Sequence, residues 1–307
     1  MRVLLTGAGG FLGGEIAQRL AVRPGIELVA SARSRPPRPG GIVLDLADRA
    51  AIIRCLTGVK PDAVIHAAGR TEGPPSALLA DNAIATANLA AALAMAAPDA
   101  GLVLLGSAAQ YGDPSTDHPW REDDVSLPQN PYGVSKLAAE ACALSLARRN
   151  GLKVTALRLF NVVSATPYGS QVFASFLRRA AKALAAGSPL RVSMGPLGAV
   201  RDFVSVSDVV KVVEAVLGRS AWGETLNVCT GVGRPVRALI EAVVAQLAGE
   251  MLIEEAEGEG GVAWSVGDPR RCEACLGVRP SADLTDVIAS AAAWVGEEAA
   301  AHARSRA

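Results

Sequence analysis

Five uninterrupted apolar runs, each separated from the next by enough chain for a helix, constrain the fold of this 307-residue chain more than any other feature. They are "RVLLT" from Arg2, "IELVAS" from Ile26, "DAVIHAAG" from Asp62, "GLVLLGS" from Gly101 and "KVTALRLF" from Lys153. A strand buried on one face alternates apolar and polar residues. These runs do not alternate, so each is expected to be covered on both faces, as in a parallel sheet sandwiched between helices. The intervening chain reads as helix to about Val22, from about Asp48 to Leu56, from Leu78 to Ala97 and from Pro131 to Arg149. The expected class is therefore α/β, a Rossmann-type doubly wound parallel sheet with ligands at the carboxyl ends of its strands.

After Phe160 the texture changes to Gly-, Pro- and Ser-rich loops alternating with short helices, while "ETLNVCT" reads as one more strand of the main sheet. The expected organisation is a dinucleotide-binding domain over 1–160, completed by about 203–230. A smaller C-terminal substrate-binding lobe is expected from 161–202 and 231–307. A chain of this length holds one large domain or two tightly joined ones.

The 30 basic and 30 acidic side chains cancel, which argues against nucleic acid or an anionic membrane surface as partner and favours a small, roughly neutral ligand. The chain enters its first strand at Arg2 without an apolar leader, so the expected location is cytoplasmic. The stretch Leu78–Ala97 contains Asp81, Asn82, Thr86 and Asn88 and reads as a buried or interface helix, not a membrane span. Five cysteines include one C-x-x-C, Cys272 and Cys275, with no second pair and no histidine nearby; no metal site is expected.

"TGAGGFLG" sets Gly7, Gly10 and Gly13 in G-x-x-G-x-x-G spacing directly after the first strand and at the opening of a helix. Such a turn lets backbone N–H groups approach a pyrophosphate and lets the helix pack close to the strand, the signature of dinucleotide binding. An acid at the end of the second strand would hold ribose hydroxyls. Here Ser31 and Ala32 stand at that place, followed by Arg33, Arg35 and Arg38, which favours a 2′-phosphate and hence NADP(H), with NAD(H) possible.

"NPYGVSK" puts Tyr132 and Lys136 one helical turn apart on the same face. A phenol with a pKa near 10 becomes a useful proton donor or acceptor when an ammonium within about 4–6 Å lowers that value. "LLGSAAQYGD" places Ser107 at the end of a buried strand, where its hydroxyl can align a reacting oxygen or cap its own turn.

With these motifs the chain resembles the extended short-chain dehydrogenase/reductase family of nucleotide-sugar epimerases, dehydratases and ketoreductases. The resemblance implies a catalytic set of Ser107, Tyr132 and Lys136. It implies cofactor contacts from Gly7, Gly10, Phe11, Leu12, Gly13 and Arg33, from Asp45 and Leu46 at the adenine, from Ala67, Ala68 and Gly69, from Asn82, and from Tyr132 and Lys136, the lysine holding the nicotinamide ribose. It also implies that Phe160 approaches the nicotinamide, that Asn161 and Ser107 meet the substrate, that Arg201 meets its nucleotide diphosphate, and that Arg270 supplies another basic substrate contact. A homodimer through the helices around 78–97 and 131–149 is a further implication.

Departures from the family pattern narrow the activity. Dehydratases of the family carry an Asp-Glu pair immediately after the Ser/Thr, and here those positions are Ala108 and Ala109. Elimination of water is thereby disfavoured. Two readings are left: reduction of the 4-keto group of an NDP-4-keto-(6-deoxy)hexose, and 4-epimerisation with a tightly held NAD. The arginines after the second strand and the stretch from Phe160 to Ala181, similar to that of GDP-4-keto-6-deoxy-mannose reductases, lean towards reduction. A nicotinamide-binding regulatory protein is the remote alternative.

Overall fold

The computed structural model describes residues 1–113, 118–167, 172–187, 190–194, 197–219, 221–247, 251–255 and 262–304. In chain order the first half runs β1 (Arg2–Thr6), α1 (Phe11–Ala21), β2 (Glu27–Ala32), β3 (Ile42–Val43), α2 (Arg49–Val59), β4 (Ala63–His66), α3 (Pro75–Leu78), a π-helical stretch (Leu79–Ile84), α4 (Ala85–Ala96), β5 (Gly101–Leu105), a 3-10 turn (Ala108–Gln110) and α5 (Pro131–Asn150). The second half runs β6 (Lys153–Leu159), β7 (Asn161–Val163), α6 (Val172–Ala185), β8 (Leu190–Met194), β9 (Val200–Ser205), α7 (Val206–Arg219), β10 (Thr225–Val228), β11 (Gly233–Pro235), α8 (Val236–Val244), β12 (Met251–Glu255), β13 (Trp264–Ser265), α9 (Arg270–Leu276) and α10 (Thr285–Arg304).

Seven strands form the main sheet in the order β10-β6-β5-β4-β1-β2-β3, every neighbouring pair parallel. The expected doubly wound α/β class is the observed one, and the two-residue strand β3 at the sheet edge adds to it. Along β1 the side chains divide as a doubly covered strand requires. Val3 and Leu5 pack with Ile16 and Leu20 of α1 and Val209 and Val213 of α7, whereas Leu4 packs with Leu89 and Leu93 of α4 and Ala143 of α5.

Chain direction across the sheet reverses between β1, which continues towards β2 and β3, and β4, which continues towards β5 and β6. A crevice opens at such a switch point. A second sheet gathers β7, β11 and β13 around β9, and β8 pairs with β12. Beside them α6, α8 and α10 close a separate core on Phe176, Leu177, Ile240 and Val295.

The helix around Leu78 starts at Pro75 and contains one π-helical turn, in which the Ala85 N–H reaches back to Ala80 O. Pro75–Ala96 is long and apolar enough by composition to cross a membrane, and half of its most apolar window is buried inside the fold.

Candidate active site

At the switch point the first glycine turn meets the end of β4. Gly7 has φ +74°, and a Cβ on it would lie 2.4 Å from Ala68 N. On Gly13 a Cβ would lie 2.1 Å from Gly7 O, so α1 packs onto the turn only because that position is bare. Gly10 closes the turn by donating to Gly7 O at 2.9 Å and stands at the N-cap of α1 without a capping side chain. The helix N-terminus is thus left to the crevice, a place suited to a pyrophosphate. Phe11 and Leu12 are half-buried against the core. These residues fit a nicotinamide dinucleotide.

The other residues expected at the cofactor lie around the same crevice. Asp45 is exposed and caps Ala47 N–H at 3.0 Å, and Leu46 is buried, its carbonyl accepting from Asn88 at 3.0 Å. Ala67, Ala68 and Gly69 follow β4, with a Cβ at Gly69 falling 2.8 Å from Asn82 Oδ1. Asn82 is a buried strut: Oδ1 accepts from Arg70 N at 2.7 Å, and Nδ2 donates to Arg70 O at 2.9 Å and to Ser135 Oγ at 2.8 Å. Arg33 is held to Asp81 at 3.1 Å.

Asn130 caps α5 by accepting from Gly133 N at 2.8 Å, and Pro131 takes the first helical position, where its missing N–H costs nothing. That start fixes Tyr132 and Lys136 on the face turned to β5. The Ser107 hydroxyl acts on Tyr132 from the end of β5, lowering its pKa. Ser107 also caps the 3-10 turn, its Oγ accepting from Ala109 N at 3.2 Å, so the capping and aligning roles coexist. Lys136 Nζ donates to Leu105 O at 2.8 Å.

Electrostatics correct one expectation. The Tyr132 phenol sits above its ordinary pKa because burial outweighs the lowering effect of the Ser107 hydroxyl. Lys136 turns its ammonium onto the Leu105 carbonyl, and burial brings it down to about 8. Tyr132 is accordingly a phenol that keeps its proton near neutral pH.

Behind this group lies a buried network that the sequence analysis did not single out. Glu140, two turns along α5 from Tyr132, accepts from Arg158 Nη2 at 2.6 Å and from Gln110 Nε2 at 2.7 Å. Arg158 Nη1 donates to the Tyr111 hydroxyl at 2.8 Å, which donates to Asn227 Oδ1 at 2.7 Å. The signal that could have found Glu140 is its i+4 spacing from Lys136.

His66, at the end of β4, is also buried. Its Nδ1 lies 2.7 Å from Thr6 Oγ1 and its Nε2 3.0 Å from Thr86 Oγ1. Thr86 gives its one proton to Asn82 O at 2.6 Å, so His66 Nε2 is the donor to Thr86 and Nδ1 accepts from Thr6. Burial, reinforced by the Lys136 charge, holds His66 down to about 3.

Phe160, expected at the nicotinamide, and the expected substrate residues are more dispersed. Phe160 is buried, its ring centroid 6.3 Å from that of Tyr111. Asn161 Nδ2 donates to Asp202 O at 3.3 Å. Arg201 donates to Val200 O at 2.9 Å and Val262 O at 2.6 Å. Arg270 is exposed and folds back onto Asp268, with Nε 3.0 Å from both carboxylate oxygens. Residues 168–171, in the stretch whose pattern suggested a reductase, lie outside the described residues.

Cys272 and Cys275 stand on α9 as free thiols, Cys272 buried and pushed up to about 12 by that burial. Among the described residues no cluster of three or more histidine, cysteine or acidic side chains is disposed to hold a metal.

Known proteins share both the sequence and the architecture. The family model described as "NAD dependent epimerase/dehydratase family" matches residues 3–229. The dTDP-6-deoxy-L-talose 4-dehydrogenase (NAD(P)(+)) of Kitasatospora kifunensis is 30% identical over 297 residues, covering 94% of this chain and 93% of that protein. A UDP-glucose 4-epimerase of Azospirillum brasilense is 31% identical, over 95% of this chain and 91% of its own length. Among solved structures, RMD from Pseudomonas aeruginosa complexed with NADPH superposes with a TM-score of 0.83 at 27% identity, covering 96% of this chain and 99% of the other. By sequence and by fold, the chain belongs to the NAD-dependent epimerase/dehydratase family.

Proposed function

We propose that this protein is an NAD(P)-dependent nucleotide-sugar oxidoreductase that reduces the 4-keto group of an NDP-4-keto-(6-deoxy)hexose. The observation that carries this reading is the Ser107 hydroxyl at the start of a 3-10 turn whose next two residues are alanines, Ala108 and Ala109, with Tyr132 under its influence. With a hydride from the nicotinamide, a protonated phenol and an aligning hydroxyl suffice to turn a ketone into an alcohol; elimination needs a further acid and base, and two methyl groups supply neither.

The bound nicotinamide supplies the hydride. Tyr132 donates its proton to the ketone oxygen from Oη, and burial keeps that phenol protonated until it meets the ketone. Ser107 holds that oxygen in line, and Lys136 supplies positive charge under the ribose side of the crevice, where Gly69 also lies. NADPH is the favoured reductant in this reading because Arg33 follows β2 where an acid would otherwise hold the ribose. A homodimer through the helices around 78–97 and 131–149 fits the exposed Ile84, Met95 and Val134.

The test is turnover with a panel of nucleotide 4-keto sugars and NADPH, followed by loss of reduced-nicotinamide absorbance. Stoichiometric oxidation is expected with at least one of them. A protein that purifies with a full complement of unexchangeable NAD and interconverts 4-epimers without net oxidation would instead be an epimerase, the activity named for the Azospirillum relative. Light scattering checks the dimer.

A further inference from the structure

The end of β2 carries no acid, yet a carboxylate reaches the same place from another element. Arg33 follows β2, and Asp81 lies on the π-helical stretch beyond β4; in the sheet, β1 runs between those two strands. Two strand spacings make about 10 Å, a gap that a long side chain and a short one can bridge. Arg33 Nη1 meets Asp81 Oδ1 at 3.1 Å, so its guanidinium lies across the carboxyl end of β1, where the glycine turn begins. A Cβ on Gly9 of that turn would touch Ala32 at 3.4 Å, which places the root of Arg33 against the cradle.

The other carboxylate oxygen is taken by Arg70 Nε at 2.6 Å. Arg70 is pinned by its own backbone to the buried Asn82, whereas Arg33 is 61% exposed and tied to nothing but this carboxylate among the contacts described. Arg33 is therefore the partner that moves. The two arginines together outweigh the effect of burial and hold the Asp81 carboxyl below its ordinary range.

We propose that Asp81 sets the choice between a 2′-phosphorylated and an unphosphorylated dinucleotide, by holding the Arg33 guanidinium that a 2′-phosphate must win from it. The proposal rests on the dinucleotide and Arg33 assignments made above. A doubly charged phosphate gains two charge-assisted hydrogen bonds by displacing the carboxylate. A plain ribose hydroxyl gains nothing by displacing it. Asp81 thus handicaps NADPH and leaves NADH unaffected, which moves the site towards use of both.

The experiment measures dissociation constants of NADPH and NADH by nicotinamide fluorescence for the wild type, Asp81→Asn, Arg33→Ala and the double variant. Asp81→Ser serves as a second neutral replacement, and thermal melting checks the fold; the Asn82 bonds that pin Arg70 do not involve the Asp81 side chain. Asp81→Asn is expected to shift the NADPH/NADH preference about tenfold towards NADPH, and most of that shift should vanish in the Arg33→Ala background. A preference unchanged within twofold, or shifted towards NADH, in either folded Asp81 variant overturns the proposal. If Arg33→Ala itself leaves the preference unchanged, the assignment of Arg33 to the 2′-phosphate fails instead, and the two failures are distinct.

Discussion

Gln110 donates from Nε2 to Glu140 Oε2 at 2.7 Å and so ties the turn that carries Ser107 to the helix that carries Tyr132 and Lys136. Both residues are almost fully buried. Glu140→Gln leaves the buried Arg158 guanidinium without its counter-charge, and a loss of about 3–5 kcal/mol in stability is expected from urea unfolding. Gln110→Met spares the Arg158 pair. Its stability cost is expected near 1 kcal/mol, while kcat falls more than KM rises because Ser107 loses its tether.

Tyr132→Phe removes the proton donor and leaves the cradle intact. Turnover is expected to drop by about 10²–10⁴-fold with cofactor affinity within twofold of wild type, read by single-turnover kinetics and fluorescence titration. Ser107→Ala removes the hydroxyl that lowers the Tyr132 pKa. Reduction needs the protonated phenol, so the alkaline limb of the kcat profile should move to higher pH in Ser107→Ala.

His66 gives the chain a defined acid sensitivity. Its native pKa of about 3 lies below the unfolded value of 6.5, so between these pH values the unfolded chain binds a proton that the native chain does not. Stability is complete above pH 6.5 and is lost progressively as pH falls towards 3, by up to about 5 kcal/mol for this one group. The difference in urea midpoint between wild type and His66→Asn should change over that window and be flat above it.

Gly13→Ala places a methyl group 2.1 Å from Gly7 O. Either α1 or the turn must shift, and dinucleotide affinity is expected to fall by at least tenfold, measured by fluorescence titration, with a lowered melting temperature. Gly14→Ala is the control, since its Cβ would meet Ala8 O at an ordinary 3.7 Å.

The long apolar strands were legible because a strand covered on both faces writes its burial into every position, as Val3, Leu4 and Leu5 show. Ile42–Val43 was not, because two residues at a sheet edge leave no pattern to read. Nor was the second sheet, where Trp264 pairs with Val200 across a long stretch of chain. Tyr132 and Lys136 could be placed on one face from spacing alone. The direction of the tyrosine shift could not, since it depends on burial and on the Leu105 carbonyl that claims the lysine. Arg33, Arg70 and Asp81 meet only after β1 has been laid between β2 and β4, and no local motif joins them.

The π-helical turn at Leu79–Ile84 imposes a rule on residue count. The turn holds one residue more than an α-helical turn, since the Ala85 N–H reaches five residues back to Ala80 O instead of four. Loss of one residue from this stretch is therefore absorbed by reversion to α-helix, with Leu89 and Leu93 of α4 still packed on the sheet. A deletion inside α4 has no such turn to absorb it and rotates everything beyond it by about 100°. One-residue deletions are expected to be tolerated better within Leu79–Ile84 than within Ala85–Ala96.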